Sequence, residues 1–277
     1  FIFWGFGFLR MGTTGLTAQA FGEENHTDSV MTLARSLTVA GVFSILILLL
    51  QVWIADFSFW LVEASPEVER YTRIYFNIRI YTAPATLSLY AINGWFLGMQ
   101  NASYPMIVTI FLNALNIALD VFFVYSLGMN VDGVATGTLI ARYSGLILAV
   151  GLLIYKYGDW LQAYIHDLLL EVKALKKFFS VNRDIFLRTL CLIFTLSFFT
   201  AKSAEFGDVI LAANSILLQL WMMVSYGVDG FAYAAESLIG RYTGSNQQKR
   251  VKLTVKYCFI WGTGIGLLAS AVYAIFD

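Results

Sequence analysis

The sequence predicts an all-α protein, a polytopic bundle of transmembrane helices, on three observations. Of 277 residues, 58% are hydrophobic and 13% charged, with a mean hydropathy of +0.69; a soluble chain carries about 25% charged residues. The apolar residues gather in long stretches, each sufficient for the roughly 20 residues that cross a hydrocarbon layer. The charged residues gather in the connections, unequally on alternate sides. Formal net charge is zero, from 18 basic and 18 acidic residues, so no nucleic-acid partner is expected. Cys191 and Cys258 fall in apolar stretches without metal-ligand spacing and are expected as small core residues.

Hydropathy places eight spans, at residues 1–21, 33–54, 71–99, 104–126, 131–155, 184–201, 209–240 and 251–276. The stretch from Val209 exceeds one bilayer crossing, so it tilts, bends near Gly227 and Gly230, or projects from the membrane. Pro84 inside the third span frees backbone groups and predicts a kink. Gly12 and Gly15, Gly133 and Gly137, and Gly262, Gly264 and Gly266 permit close helix contacts. Trp53, Trp60 and Trp160, near span ends, read as interfacial anchors. The chain opens on Phe1 within an apolar run and stops just after a span, so a fragment of a longer protein is expected.

Loop charge sets the orientation. One side holds Arg35, then Lys156, Lys173, Lys176, Lys177 and Arg183, then Arg241, Lys249, Arg250, Lys252 and Lys256; the other holds Arg70, Arg73 and Lys202. The richer side is assigned to the cytoplasm. The connector 156–183 repeats Leu161, Ile165, Leu168, Val172, Leu175 and Phe179 at helical spacing. It reads as an amphipathic helix at the cytoplasmic surface, or as a loop helix packed on the bundle. It divides an amino-terminal lobe, 1–155, from a partial carboxy-terminal lobe, 184–277. A weak internal repeat agrees with two lobes: residues 19–25 and 241–247 both close a span and open a polar loop, with Gly22 answering Gly244 at a lag of 222 residues.

Ionised residues at the centre of a span cost about 2.5–3.5 kcal/mol each on the insertion scale. The spans nevertheless retain Arg10, Arg79, Asp120, Arg142, Arg188, Asp229 and Glu236. Internal salt bridges that fix packing would explain any one of them; the set points to a polar or water-filled pathway. Asn116 precedes Asp120 by four residues, on the same helix face, and Thr138 lies as far beyond the intervening turn as Asp120 lies before it. Carboxylate, amide and hydroxyl can therefore converge at one depth, as oxygen ligands for a proton or Na⁺ or as an interhelical hydrogen-bond set. A second polar group comprises Asp229 and Glu236, seven apart on one face, with Arg188 at a depth that allows an ion pair with Glu236. Arg10, Arg79, Trp221, Met222 and Tyr226 are candidates for lining a substrate cavity, core packing being the alternative for the aromatics.

Particular motifs then resemble one family. The segment Phe8–Gly22, FLRMGTTGLTAQAFG, is similar to the second helix of the multidrug and toxic compound extrusion (MATE) family. Ala83, Pro84 and Ala85 with Gly94 and Trp95 resemble its fourth helix, and Asn113 through Asn116 to Asp120 its fifth. Asn182, Arg183, Asp184 and Ile185 with Arg188, and Asp229 through Ala234 with Glu236, resemble the seventh and eighth helices of its DNA-damage-inducible (DinF-like) branch. The resemblance implies a two-lobed, twelve-helix exporter in the cytoplasmic (inner) membrane, of which this chain would supply helices two to nine. It implies antiport by alternating access, of H⁺ or Na⁺ against amphipathic, often cationic organic compounds, by a monomer with no other cofactor. It implies a cation site that includes Asn116, Asp120 and Thr138 together with an aspartate on a first helix, which lies outside this chain. Desolvation disfavours the charged form of a carboxylate, so a protonated form near neutral pH is physically accessible in such a site. A lipid-linked saccharide flippase of the same broad superfamily is the alternative. An embedded enzyme is the distant one, because His26 and His166 have no paired acid and no nucleophile motif is present.

Overall fold

The computed structural model describes residues 3–61, 66–169 and 171–275. All regular structure there is helical: α1 Phe8–Gly22, α2 His26–Leu49, α3 Gln51–Leu61, α4 Pro66–Arg79, α5 Ala83–Gly98, α6 Ser103–Val121, α7 Val131–Leu161, α8 Val172–Glu205, α9 Asp208–Gly244 and α10 Gln248–Ile275. Among the described residues, six helical stretches are long and apolar enough to cross a membrane; they correspond to α2, α6 with the turn after it, α7, α8, α9 and α10. The other two sequence spans appear as the shorter α1, and as α4 and α5 separated by a 3-10 turn at Ile80–Thr82. That break has a local cause. Pro84 sits in the first turn of α5, where its missing N–H costs nothing, and its ring would clash with the carbonyl four residues earlier.

The connector between the sequence lobes is not one helix. Helix α7 runs on to Leu161 with a kink at Tyr157, a 3-10 turn covers His166–Leu168, and α8 starts at Val172. Lys173, Lys176, Lys177 and Arg183 therefore belong to the exposed opening turns of α8. Helix α9 is unbroken through Gly227 and Gly230. At 1.5 Å per residue its 37 residues extend about 55 Å, beyond a hydrocarbon thickness of about 30 Å. Cys191 is exposed on α8 and Cys258 half-buried on α10, so neither is the core residue expected. Trp53 is exposed, as an interfacial anchor would be, whereas the Trp60 side chain lies outside the described residues.

Contacts group the chain into two compact units. The first is Phe1–Ser29, Leu97–Gln100 and Val172–Asp277; the second is Val30–Phe96 and Asn101–Glu171. In the second, α7 packs on α6 and α4, and the fully buried Trp95 and Phe96 surround Tyr157. The Trp95 ring meets Tyr157 edge-on at 4.9 Å, and Asn101 Nδ2 donates to the Tyr157 hydroxyl at 3.2 Å, fixing the residue at which α7 kinks.

In the first unit α1 packs against α8 and α9, and α10 against α9. The α1–α9 crossing is reciprocal. A Cβ on Gly22 would meet the Arg241 carbonyl oxygen, and a Cβ on Gly244 would meet that of Gln19; Gly240 faces Ala18. Each pair is related by the lag of 222 residues noted in the sequence. The turns that follow are built alike. After α1, Glu24 has φ 55°, Asn25 N–H donates to Ala20 O at 2.9 Å and Glu24 N–H to Phe21 O at 3.2 Å. After α9, Asn246 has φ 58°, Gln247 N–H donates to Tyr242 O at 2.8 Å and Asn246 N–H to Thr243 O at 3.0 Å. Both are the left-handed Schellman closure, which satisfies the last orphan carbonyls of a helix. The repeat is therefore structural, with small residues at the seam because two backbones touch there.

Candidate functional site

The second unit brings Asn116, Asp120 and Thr138 together. Asn116 and Asp120 are one turn apart on α6, and Thr138 stands opposite on α7. The Asn116 side-chain amide donates to Asp120 Oδ1 at 3.1 Å and to Thr138 Oγ1 at 3.3 Å. The Thr138 hydroxyl in turn donates to the Val134 carbonyl at 3.0 Å. Thr138 is buried, and Asn116 and Asp120 are half-buried. The amide nitrogen is thus held between two oxygen acceptors. Rotated by half a turn, it would present its own oxygen beside them, giving three neutral or anionic oxygens of the kind a hard cation takes.

One backbone feature makes room for this arrangement and a second adjoins it. Gly137 faces the carboxylate directly: a Cβ there would collide with Asp120 Oδ1. Immediately after α6 the chain makes a π-helical turn at Phe122–Ser126, from which Met129 N–H reaches back to Phe123 O at 3.0 Å. Insertions of this kind concentrate at functional sites. Neither was attached to Asp120 by sequence reasoning. Gly137 stood out only as a generic close-contact glycine, and the π turn has no compositional sign.

Arg79, at the end of α4, is the cation within electrostatic reach of Asp120, without a direct ion pair. Its Nη1 is buried and unbonded, and its guanidinium lies 5.7 Å from the Tyr75 ring centroid. Arg142 on α7 is half-buried, within reach of Tyr90 and Arg79.

The first unit holds the other polar group, differently composed from the sequence expectation. Glu236 on α9 pairs with Arg10 on α1, Nη1 to Oε2 at 3.3 Å, and not with Arg188. The side chains are 17% and 19% exposed. The Arg10 guanidinium also lies 4.0 Å from the centroid of Tyr233, one turn before Glu236, so ring and carboxylate hold it together. Arg188 is exposed and donates to the Met11 sulfur at 3.4 Å. Depth along the helices allowed the Arg188 pairing; the α1–α9 crossing gives the direct ion pair to Arg10 and leaves Arg188 within electrostatic reach of Glu236. Asp229 is half-buried two turns before Glu236. Trp221 and Tyr226 project outward, 51% and 69% exposed, and Met222 is half-buried. An apolar groove of about 390 Å³ between α9 and α10 involves other residues, among them Val228, Phe231, Ala235, Phe259 and Thr263. Among the described residues, no group of three or more His, Cys, Asp or Glu side chains could hold a metal ion.

The family model described as MatE matches residues 1–122 and 185–277. DNA damage-inducible protein F of Escherichia coli (strain K12) is 37% identical over 271 residues, covering 97% of this chain and 58% of that protein. Protein DETOXIFICATION 42 of Arabidopsis thaliana is 25% identical over 215 residues, covering 78% and 41%. Multidrug and toxin extrusion protein 1 of Homo sapiens is 27% identical over 291 residues, covering 98% and 46%. The chain thus spans about half the length of these relatives. Among solved structures, a MATE protein in complex with MaD5 has the same fold, with TM-score 0.90, 20% identity, and coverage of 99% of this chain and 62% of that one. An outward-facing multidrug resistance MATE family transporter of the MOP superfamily has it too, at TM-score 0.90, 20% identity, and 99% and 62% coverage.

Proposed function

The chain belongs to the MatE family, and from that premise we propose that the protein containing it is a cation-coupled antiporter that exports amphipathic organic compounds, often cationic, by alternating access. The observation that carries the coupling reading is the junction of Asn116, Asp120 and Thr138 across α6 and α7. It has a carboxylate that can take a proton or a Na⁺ ion, an amide whose reversal adds a third oxygen, and a glycine opposite whose missing side chain gives the carboxylate its place. A carboxylate half-sunk among apolar helices is costly to keep charged, so a bound cation relieves the cost. A structural role would need only the hydrogen bonds.

The ion drives transport only through unequal affinity for the two conformations. It binds Asp120 while the cavity faces outward; substrate leaves, and the occupied site favours return to the inward-facing form. The Arg10–Glu236–Tyr233 cluster serves packing of α1 on α9 in this scheme, and Arg79 and Arg142 give Asp120 its electrostatic surroundings. The moving bodies in this reading are the two sequence lobes, 1–155 and 184–277, with the α1–α9 seam, where residues 1–29 pack on the second lobe in the form described, as the place at which they would shift; the protein is a monomer resident in the bacterial inner membrane. The test is ion-driven efflux of a cationic dye in inverted membrane vesicles carrying the full-length protein. Asp120→Asn is expected to abolish uptake driven by an imposed proton or Na⁺ gradient while leaving dye binding in place. Unchanged gradient-driven uptake in that variant would remove the coupling role.

A further inference from the structure

The turns after α1 and α9 share one backbone design but carry opposite charge. The first bears Glu23, Glu24 and Asp28; the second bears Arg241, Lys249 and Arg250, followed by Lys252 and Lys256, with no acidic residue from Arg241 to Phe276. The two turns adjoin, Gly22 meeting the Arg241 carbonyl, so they lie at the same membrane surface. Two of the cations are occupied by rings: Arg241 lies 5.5 Å from the Phe21 centroid and Arg250 5.5 Å from that of Tyr242. Lys249, Lys252 and Lys256 are exposed and make no ion pair among the described residues.

The three lysines are spaced i, i+3 and i+7 and fall on one stripe of α10. The same stripe continues into Leu253 and Ile260, both exposed, with exposed Tyr257 and Trp261 beside it. Cations at the entrance of the helix, then apolar surface one to three turns deeper, follow the order of a phospholipid: phosphate first, acyl chain after. A topological role for these lysines requires their number on one side of the membrane. It does not require them to be aligned over exposed apolar surface.

We propose that the opening turns of α10 bind an anionic phospholipid, with Lys249, Lys252 and Lys256 around the phosphate and the acyl chains along Leu253 and Ile260. Charge complementarity selects an anionic headgroup over a zwitterionic one, whose own cation would oppose the lysines. The acidic turn after α1, identical in backbone and adjacent in space, repels the same lipid, so binding is confined to one of the two related corners.

The experiment titrates the purified full-length protein, in neutral detergent, with dioleoyl phosphatidylglycerol or dioleoyl phosphatidylcholine. Retained lipid is counted by native mass spectrometry, with the shift in unfolding temperature followed in parallel. Phosphatidylglycerol is expected to be retained and to raise the unfolding temperature, and phosphatidylcholine to do neither. The triple variant Lys249→Gln, Lys252→Gln, Lys256→Gln is expected to weaken phosphatidylglycerol retention by at least about tenfold, and the triple Lys→Arg variant at the same positions to restore it. Neutralising Lys173, Lys176 and Lys177 instead, the same charge on α8, is expected to leave retention intact. Equal loss in both triple Gln variants would mean diffuse attraction to a positive surface and overturn the site. So would equal retention of the two lipids, or the full shift from glycerol 3-phosphate alone, or no retention at all, as when another part of the protein covers this face.

Discussion

Asp120 keeps its carboxylate oxygen in the place where a side chain on Gly137 would stand. The donor that reaches this oxygen is the Asn116 amide, and the same amide bridges to Thr138. The absence of one methyl group on α7 therefore lets a charged residue of α6 turn inward.

Gly137→Ala tests this directly. The added methyl forces the carboxylate off the amide, an overpacking that costs about 1–3 kcal/mol, and gradient-driven efflux falls with it. Gly264→Ala is the control, because nothing lies within 4 Å of a Cβ there. It is expected to leave the unfolding temperature unchanged or to raise stability by up to about 1 kcal/mol through helix propensity. Thermal unfolding in detergent and vesicle efflux, measured on both variants, check the pair.

At Thr138 the hydroxyl accepts from Asn116 and donates to Val134. Thr138→Ser keeps both bonds and is expected to retain efflux. Thr138→Val removes them at nearly the same volume and lowers stability by about 0.6–1.7 kcal/mol, the range for side-chain hydrogen bonds between membrane helices. In the proposed site it also weakens the dependence of efflux on ion concentration, which a packing role would leave alone.

For Arg10 and Glu236, removing one partner is expected to do more harm than removing both. Glu236→Gln or Arg10→Gln leaves a charge with little solvent, at a cost of about 1–3 kcal/mol. Arg10→Met with Glu236→Leu leaves none and is expected to lie closer to the parent protein. Tyr233→Leu takes away the ring beneath the guanidinium and costs about 0.5–2 kcal/mol. A double-mutant cycle on unfolding midpoints gives the coupling; additive single effects would contradict the pairing.

Arg35, 5% exposed and the tenth residue of α2, donates to the Leu168 carbonyl at 2.8 Å and lies 3.9 Å from Glu171. It ties down the segment between α7 and α8. Arg35→Gln is expected to raise amide hydrogen exchange across residues 162–171 by several-fold and to cost about 1–3 kcal/mol. Both contacts are made by one nitrogen, Nη2, so Arg35→Lys is expected to restore part of the protection.

Much of this architecture is legible from hydropathy, since a helix in hydrocarbon must satisfy its own backbone and a span declares itself by length. The Asn116–Asp120–Thr138 junction is legible for a local reason. One interval is a single helical turn, and the other is symmetric about a short connection, so depth follows from counting. The Arg10–Glu236 pair is not legible that way. Its members are 226 residues apart, and only the crossing of α1 and α9 chooses between Arg10 and Arg188. The break before Pro84 was readable from proline chemistry, whereas the π turn at Phe122–Ser126 and the continuity of α8 from Val172 depend on tertiary surroundings that composition does not record. Cys191 fails for a related reason: apolar neighbours in sequence mark a membrane helix as readily as a protein core, and its side of α8 is the exposed one.

The reciprocal meeting of Gly22 with Arg241 and of Gly244 with Gln19 makes the α1–α9 seam complementary to itself. Such a surface cannot diverge freely in one copy. A methyl gained at Gly22 meets the Arg241 carbonyl and one at Gly244 the equivalent carbonyl of Gln19, while Gly240 faces its own counterpart, Ala18. The two turns carry opposite charge, yet the helices are matched in bulk where the backbones touch, because clearance there is shared by both.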